Sequence, residues 1–400
     1  MNPAARTPLE GRLDIELACR GERVERVVIQ SGRPLHASRL LENIAPDEAL
    51  RRIPLVFSIC ATAQCEAALR ACEQALGLAP SPAHRRARRM LVWMETAREH
   101  LLRILLDWPG FIDEPVSGER LPQVMRLLPD LRRALFGEAQ PFRLDGRPAI
   151  DLAALTGAID ALRSLTAQVL GSGGDLSSPL RSRTAFDAWL ARGDALPARL
   201  LHRVRELGWQ GLGGTHEAWL PALDAEVLRA RLAMPGADAF VAAPDWQGTH
   251  CETTALERQR RQPLVADLLA NEGNGLLTRL VARLVELEDI PKRLERDRLA
   301  LEWDEACGDS AAPVAGGNGL AQVEAARGRL IHYVEIARGA VRRFRILAPT
   351  EWNFHPAGVA AQGLLTLCGD DEAVLRRQAA LWINAVDPCV GFHLRRTVHA

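Results

Sequence analysis

The residues of this 400-residue chain with the widest chemical reach are its eight cysteines. Three of them, Cys60, Cys65 and Cys72, sit in the run FSICATAQCEAALRACE at spacings of five and seven. That spacing forms no CxxC pair, so the knuckle used by zinc or an iron-sulfur cluster is not made here. Cys65 and Cys72 lie two helical turns apart and read as core residues. Cys60 ends the apolar run IPLVFSIC where a helix begins, so a thiolate there is expected to draw support from the helix amino terminus. Near the other end, Cys389 follows Asp387 and Pro388. The proline fixes the backbone just before the thiol and removes one amide donor, a local geometry suited to presenting a side chain. Taken one at a time, each cysteine reads as buried filler before it reads as a ligand.

Two other features invite chemistry. The glycine clusters GLGG at 211–214 and GGNG at 316–319 lack the Lys-Ser/Thr of a phosphate loop and follow no clear strand, so they read as flexible turns. The run His84-Arg85-Arg86-Ala87-Arg88-Arg89 opens an amphipathic helix, the unfavourable end for positive charge. It reads as a solvated helix face, with contact to an acidic partner as the alternative.

The elements that must hold these residues are mostly helical. Segments 64–77, 84–106, 151–170, 195–207, 275–303 and 371–384 place apolar residues at spacings of three and four. The 84–106 pattern is expected to break at Trp108-Pro109, and Pro291 to kink or end the 275–303 helix. Alternation at Leu13, Ile15 and Leu17, a polar break at Arg20-Gly21-Glu22 and a second run at Val27-Ile29 predict a hairpin over 11–30. A second hairpin is predicted over 328–347, turning at Ala337-Arg338-Gly339. Gly171 to Gly174 with LSSPL, and Ala315 to Gly319, read as loops or linkers. The fold class expected is α+β, a helical core with small hairpins. One domain spans 1–400, with a β region at 1–50, a helical core at 51–310 and a hairpin and terminal segment at 320–400.

Composition bounds the function. Hydrophobic residues make up 48% and charged residues 25%, and 50 basic side chains balance 50 acidic ones. That excludes a disordered chain and gives no basic excess of the kind a nucleic-acid binder needs. No apolar run reaches the roughly 18 residues of a membrane span, and MNPAARTPLEGR lacks the apolar core of a signal peptide. The expectation is a soluble cytoplasmic protein with reduced cysteines, and with neither nucleic acid nor membrane among its partners. Lys292 is the single lysine, which reads as coding bias before phosphate recognition.

The blocks LEGRLDIELACRGERV, VFSICATAQCEAALRACEQALG, ETTALER, EAARGRLIHYVEI, APTEWN and DPC resemble, in order, landmarks of the nickel-iron hydrogenase large subunit. By that resemblance, two CxxC pairs would hold nickel and iron. The first corresponds to Phe57 and Cys60, the second to Cys389 and Phe392, so each pair has lost one thiol. Cys60 takes the place of a thiolate bridging nickel and iron, and Cys389 that of one bound to nickel alone. The histidine expected after the second pair falls at Arg395, with His393 displaced from it. Two phenyl groups in place of two thiolates remove half the sulfur that nickel needs and are expected to fill its space. No nickel is therefore expected.

Iron carrying cyanide and carbon monoxide brings ligands of its own and asks less of the protein. The resemblance assigns cyanide-facing donors to Arg327 and to Thr350 beside Pro349, and a proton-passing carboxylate to Glu10, which reads equally as an ordinary strand-edge carboxylate. A buried guanidinium without an acceptor would be costly, whereas cyanide on iron is a good one. The pattern is similar to the HupK/HoxV accessory proteins, shortened relatives of the large subunit. What this implies is a non-catalytic scaffold. It would receive an iron-cyanide-carbonyl unit from upstream assembly proteins on Cys60 and Cys389 and pass it to the large-subunit precursor. Glu10 and His393 are further candidates near the metal. The alternatives are a metal-free architectural subunit and a divergent catalytic hydrogenase.

Overall fold

The computed structural model describes residues 11–33, 35–172, 178–216, 218–303, 316–369 and 371–398. The first hairpin forms as its alternation requires. Strands β1 (Arg12–Arg20) and β2 (Arg23–Ser31) pair antiparallel, and Leu13, Ile15, Leu17 and Cys19 all turn into the core. Gly21, at φ +58°, supplies the left-handed turn residue. The partner of β1 on its other edge comes from the far end of the chain. Strand β6 (Gly391–Val398) runs parallel to β1, with Leu13 opposite Phe392 and Asp14 opposite His393. This pairing carries the Asp387-Pro388-Cys389 segment to the amino-terminal sheet.

The second sheet holds strands β3 (Gly316–Ala325), β4 (Gly328–Ala337) and β5 (Ala340–Leu347) in that order. The 328–347 hairpin is the expected one. Strand β3 corrects the loop reading of 315–319, of which Ala315 lies outside the described residues. Its glycines are there for close approach. A Cβ on Gly319 would fall 1.9 Å from the Ala71 carbonyl oxygen, and one on Gly317 would fall 3.0 Å from that of Ala75. The helix they meet is alanine-rich for the same reason.

After helix α1 (Pro46–Val56), helix α2 (Ala61–Ala75) lies between the second sheet and helix α3 (Pro82–Leu102). The helices 121–136 and 276–303 pack against α3, and 152–170 and 196–206 pack in turn on the 276–303 helix, in a core that holds Trp108, Phe136 and Trp189. Pro291 does not end the 276–303 helix, which runs through it. Burial of Leu284, Leu287, Ile290 and Leu294 along that helix offsets the roughly 3 kcal/mol a mid-helix proline costs. The break expected at Trp108-Pro109 is replaced by a π-helical turn, Arg103–Asp107, leading into a short turn at Trp108–Phe111.

Two more expectations change. The GLGG turn is a close-packing device, since a Cβ on Gly213 would fall 2.2 Å from the Trp382 ring. The basic run is a solvated face only in part: Arg85 and Arg89 are exposed, but two other members are not. Arg88 is buried, with Nη1 on Glu73 at 2.5 Å and Nε on the Pro141 carbonyl at 3.0 Å, and His84 is buried too. Arg89 pairs with Asp297 on the long helix. In the 171–174 linker, Gly171 ends the 152–170 helix in the left-handed region, and residues 173–177 lie outside the described residues.

Candidate metal-binding site

The two motif cysteines meet where the two sheets and α2 converge. Cys60 is the residue that starts α2, and its carbonyl accepts the first helical hydrogen bond from Gln64. The helix amino terminus does not serve the thiol. Its free amides at Thr62 and Ala63 are taken by the Glu95 carboxylate from α3, at 2.8 and 2.9 Å. This corrects the expected support for a thiolate. Burial first, then the Cys389 sulfur and Glu95, push the Cys60 thiol up to about 12, against the opposing pull of Arg327 and Gln64. The bond from Gln64 Nε2 to Cys60 Sγ is long, at 3.7 Å, and Gln64 Oε1 is in turn held by His332 Nε2 at 2.7 Å. His332 is fully buried, which pushes its imidazole down to about 3.

Cys389 is buried, at 7% exposed. The Thr350 hydroxyl donates to its sulfur at 2.9 Å and accepts from its amide at 3.3 Å, so one side chain fixes both the thiol and its backbone. Thr350 sits on a single helical turn, Pro349–Asn353, opened by buried Pro349. The Glu351 carboxylate braces that turn by accepting from the Ala348 amide at 3.1 Å.

Asp387 ends the 372–386 helix with a left-handed φ of +66° and faces three guanidiniums. Arg103 Nε lies at 2.8 Å, Arg327 Nε at 3.4 Å and Arg283 Nη2 at 3.5 Å. Burial alone would raise this carboxyl, but Arg327, Arg103 and Arg283 hold it well below the ordinary carboxylate range. The π-helical turn is what aims Arg103 here. Arg103 also bonds Asp107 at 2.8 Å and the Pro388 carbonyl at 3.0 Å, while Trp108 Nε1 and Asp107 grip Asn384.

Arg327 lies in the turn between β3 and β4. Gly328 must follow it, because a Cβ there would fall 1.7 Å from the Thr253 carbonyl oxygen. The Arg327 carbonyl is held by Asn353 Nδ2 at 3.0 Å and its Nη2 donates to Glu99 at 3.1 Å. Its Nε faces Asp387 in the ion pair already described, and its Nη1 is buried with no hydrogen-bond acceptor. Burial opposes its charge, but Asp387, Glu99 and the sulfurs of Cys389 and Cys60 together hold its pKa above the usual value. A desolvated donor with an unused N–H beside two thiols fits a ligand that brings its own acceptor.

The remaining candidates fall elsewhere. Glu10 lies outside the described residues. His393 is exposed on β6, with Nδ1 3.6 Å from Asp14, so it does not join the buried cluster. Phe57 packs against the core between α1, α2 and the second sheet. Phe392 is 39% exposed, which corrects the expectation that two phenyl groups fill the vacated sulfur positions. Arg395 is also exposed. Cys65 and Cys72 are core residues as read, and Cys307 lies outside the described residues. Among the described residues, no group of three or more His, Cys, Asp or Glu side chains is arranged to hold a metal ion.

Sequence reasoning missed Arg33, Glu95, Glu99 and the Asp387 carboxylate as parts of this site. Asp387 stood in the quoted DPC block. Nothing in residue type or spacing marked the other three, which join the site only through tertiary packing, Glu99 by way of Arg327.

Residues 264–366 match the family model for nickel-dependent hydrogenase. Among solved structures, the Ni-Fe-Se hydrogenase of D. vulgaris Hildenborough superposes with a TM-score of 0.67 at 16% identity, covering 92% of this chain and 94% of that one. The Ni-Fe-Se hydrogenase of Desulfomicrobium baculatum gives 0.67 at 13% identity, covering 93% and 95%. The fold is therefore that of the hydrogenase large subunits, α+β with small sheets on a helical core. Over nearly its whole length the chain is also 30% identical to the hydrogenase expression/formation protein HupK of Azotobacter vinelandii, covering 98% of this chain and 100% of that protein. The corresponding HoxV of Cupriavidus necator is 32% identical, covering 93% and 95%. The chain belongs to this HupK/HoxV family of hydrogenase expression/formation proteins. No helix among the described residues is long and apolar enough to cross a membrane.

Proposed function

We propose that this protein is a non-catalytic hydrogenase maturation factor. Its cargo is an iron-cyanide-carbonyl unit, taken on Cys60 and Cys389 from upstream assembly proteins and passed to the large-subunit precursor of a nickel-iron hydrogenase. The observation that carries this reading is Arg327, a buried guanidinium whose Nη1 has no hydrogen-bond acceptor and whose charge interacts with the sulfurs of both Cys60 and Cys389. Iron-bound cyanide accepts hydrogen bonds, so cargo would supply what Arg327 lacks. Thr350 and Asp387 hold Cys389 and Arg327 in place before cargo arrives. Two thiolates bind less tightly than four, which suits a protein that must release what it holds.

Protein produced together with the maturation machinery is expected to show infrared bands of iron-bound cyanide and carbonyl, with iron but no stoichiometric nickel. Cys60→Ser and Cys389→Ser should each lose most of the iron and the bands. Stoichiometric nickel, or hydrogen-dependent dye reduction, would overturn the reading in favour of a catalytic hydrogenase. A wild type without bands would favour a metal-free architectural role.

A further inference from the structure

Arg33 belongs to no motif, yet the fold delivers its guanidinium to the thiol pair. The backbone that leaves β2 fixes its path. The Gly32 amide bonds the Arg12 carbonyl at 2.8 Å, and Gly11, at φ +76°, comes so close that a Cβ there would fall 2.7 Å from the Arg33 Cα. From this point the side chain pairs with Glu351, the residue after the Thr350 that bonds Cys389. Glu351 is itself pinned, since its other oxygen accepts from the Ala348 amide. Arg33 is therefore held at the site before any ligand is present. Burial opposes its charge, but the Cys389 sulfur, Glu351 and the Cys60 sulfur outweigh that and hold its pKa above the usual value.

Arg33 and Arg327 differ in their surroundings. Arg327 is enclosed by Glu99 and Asp387, with its side chain 4% exposed. Arg33 faces one carboxylate and its side chain is 12% exposed, so it is the guanidinium nearer to solvent. A guanidinium carries five N–H donors in a rigid fork, more than one carboxylate oxygen can use. It can keep Glu351 and still bond an incoming group.

We propose that Arg33 is the charge-selecting residue of the site, drawing an anionic ligand to Cys60 and Cys389 and seating it there. The identity of that ligand rests on the carrier reading, under which it is an iron complex made negative by its cyanide and thiolate ligands. Arg33 then acts at the entrance and Arg327 at the buried end. Glu351 sets the angle of the entering charge.

The first arm of the test uses apoprotein and needs no iron. Cys60 is alkylated at one pH with iodoacetate, an anion, and with iodoacetamide, its neutral counterpart, and the modified position is read by peptide mass spectrometry. The ratio of the two rates cancels the thiolate fraction and the accessibility of the sulfur, leaving the local charge. Arg33→Met is expected to lower the iodoacetate/iodoacetamide ratio at Cys60 by about fivefold, and Arg33→Lys to retain most of it. An unchanged ratio in a folded Arg33→Met variant overturns the proposal. Should that variant not fold, Arg33→Gln takes its place, with the same fall in the ratio at Cys60 relative to the exposed Cys368 expected and an unchanged ratio overturning the proposal.

The second arm uses protein loaded by the maturation machinery. Arg33→Met should lose at least half of the iron or shift the cyanide bands, with Arg33→Lys close to wild type. Unchanged iron and bands in Arg33→Met overturn the proposal while leaving the carrier reading intact. A wild type with no bands sinks the carrier reading, and the alkylation ratio still decides on Arg33.

Discussion

Replacing Asp387 with asparagine tests how the terminal cysteine is positioned. Asparagine tolerates the left-handed φ of +66° that this residue adopts, so the backbone is kept and the charge alone is lost. Three guanidiniums lose their shared carboxylate, and breaking a buried ion pair from one side costs about 3–5 kcal/mol. Each arginine keeps another partner: Arg103 has Asp107 and the Pro388 carbonyl, Arg327 has Glu99, and Arg283 has the Asn384 carbonyl at 2.8 Å. The expected loss is therefore at the lower end, about 3 kcal/mol. With a urea slope of about 3 kcal/mol per molar, the unfolding midpoint should fall by about 1 M.

The pH dependence gives an independent check. The folded-state pKa of Asp387 lies below its unfolded value, so its stabilisation is fully present above the ordinary carboxylate range and is lost as pH falls through the folded value. The gap between wild type and Asp387→Asn, read by urea titration with tryptophan fluorescence, should be constant from pH 6 to 8 and narrow below about pH 4. A midpoint shift of less than about 0.3 M, or a gap that does not narrow in acid, would refute the assignment of Asp387 as the charge that holds Arg103, Arg283 and Arg327 around Cys389.

Two further outcomes are expected. Gly319→Ala drives a Cβ into the Ala71 carbonyl at 1.9 Å, backbone against backbone, and should cost about 3 kcal/mol or prevent folding, whereas Gly157→Ala, which meets nothing within 4 Å, should be neutral or stabilising; equal unfolding midpoints for the two variants would refute the close approach of β3 to α2. Burial first, then Glu73 and Asp47, push the Cys72 thiol up to about 12, above the roughly 8.5 of an unfolded thiol. The folded chain then holds a proton that the unfolded chain releases, so stability falls as pH rises from about 8.5 toward 12. Between pH 8 and 10.5 Cys72 should account for a loss of about 2–3 kcal/mol, and Cys72→Ala should flatten the alkaline decline by that amount in urea titrations.

The sequence alone determined the periodic elements and the two thiols. Alternation at Leu13, Ile15 and Leu17 was enough to make β1, because a period of two leaves one face to bury. The apolar stripes at 84–106 and 275–303 were enough to make the long helices. Cys60, Cys389, Arg327 and Thr350 were legible because each stands in a short block that resembles the hydrogenase landmarks. Strand β3 was not legible. Its glycines signal a turn by residue type, and only the packed α2 reveals that they are there to let two backbones touch.

Tertiary structure alone decided what the thiols experience. A helix start beside Cys60 suggested a supported thiolate, but Glu95, 35 residues on in the chain, takes the free amides and turns the local field the other way. Phe392 and His393 follow Cys389 closely in sequence, yet the parallel pairing of β6 with β1 leaves both on the exposed part of the sheet. Arg33 shows the converse case, since it carries no motif and its charge interacts with Cys60 and Cys389 because the Gly11–Gly32 contact and Glu351 hold it beside the Thr350 turn. Spacing along a chain fixes which residues share a face. Charge and desolvation at a buried sulfur depend on groups from every element that closes over it, and those are set by packing.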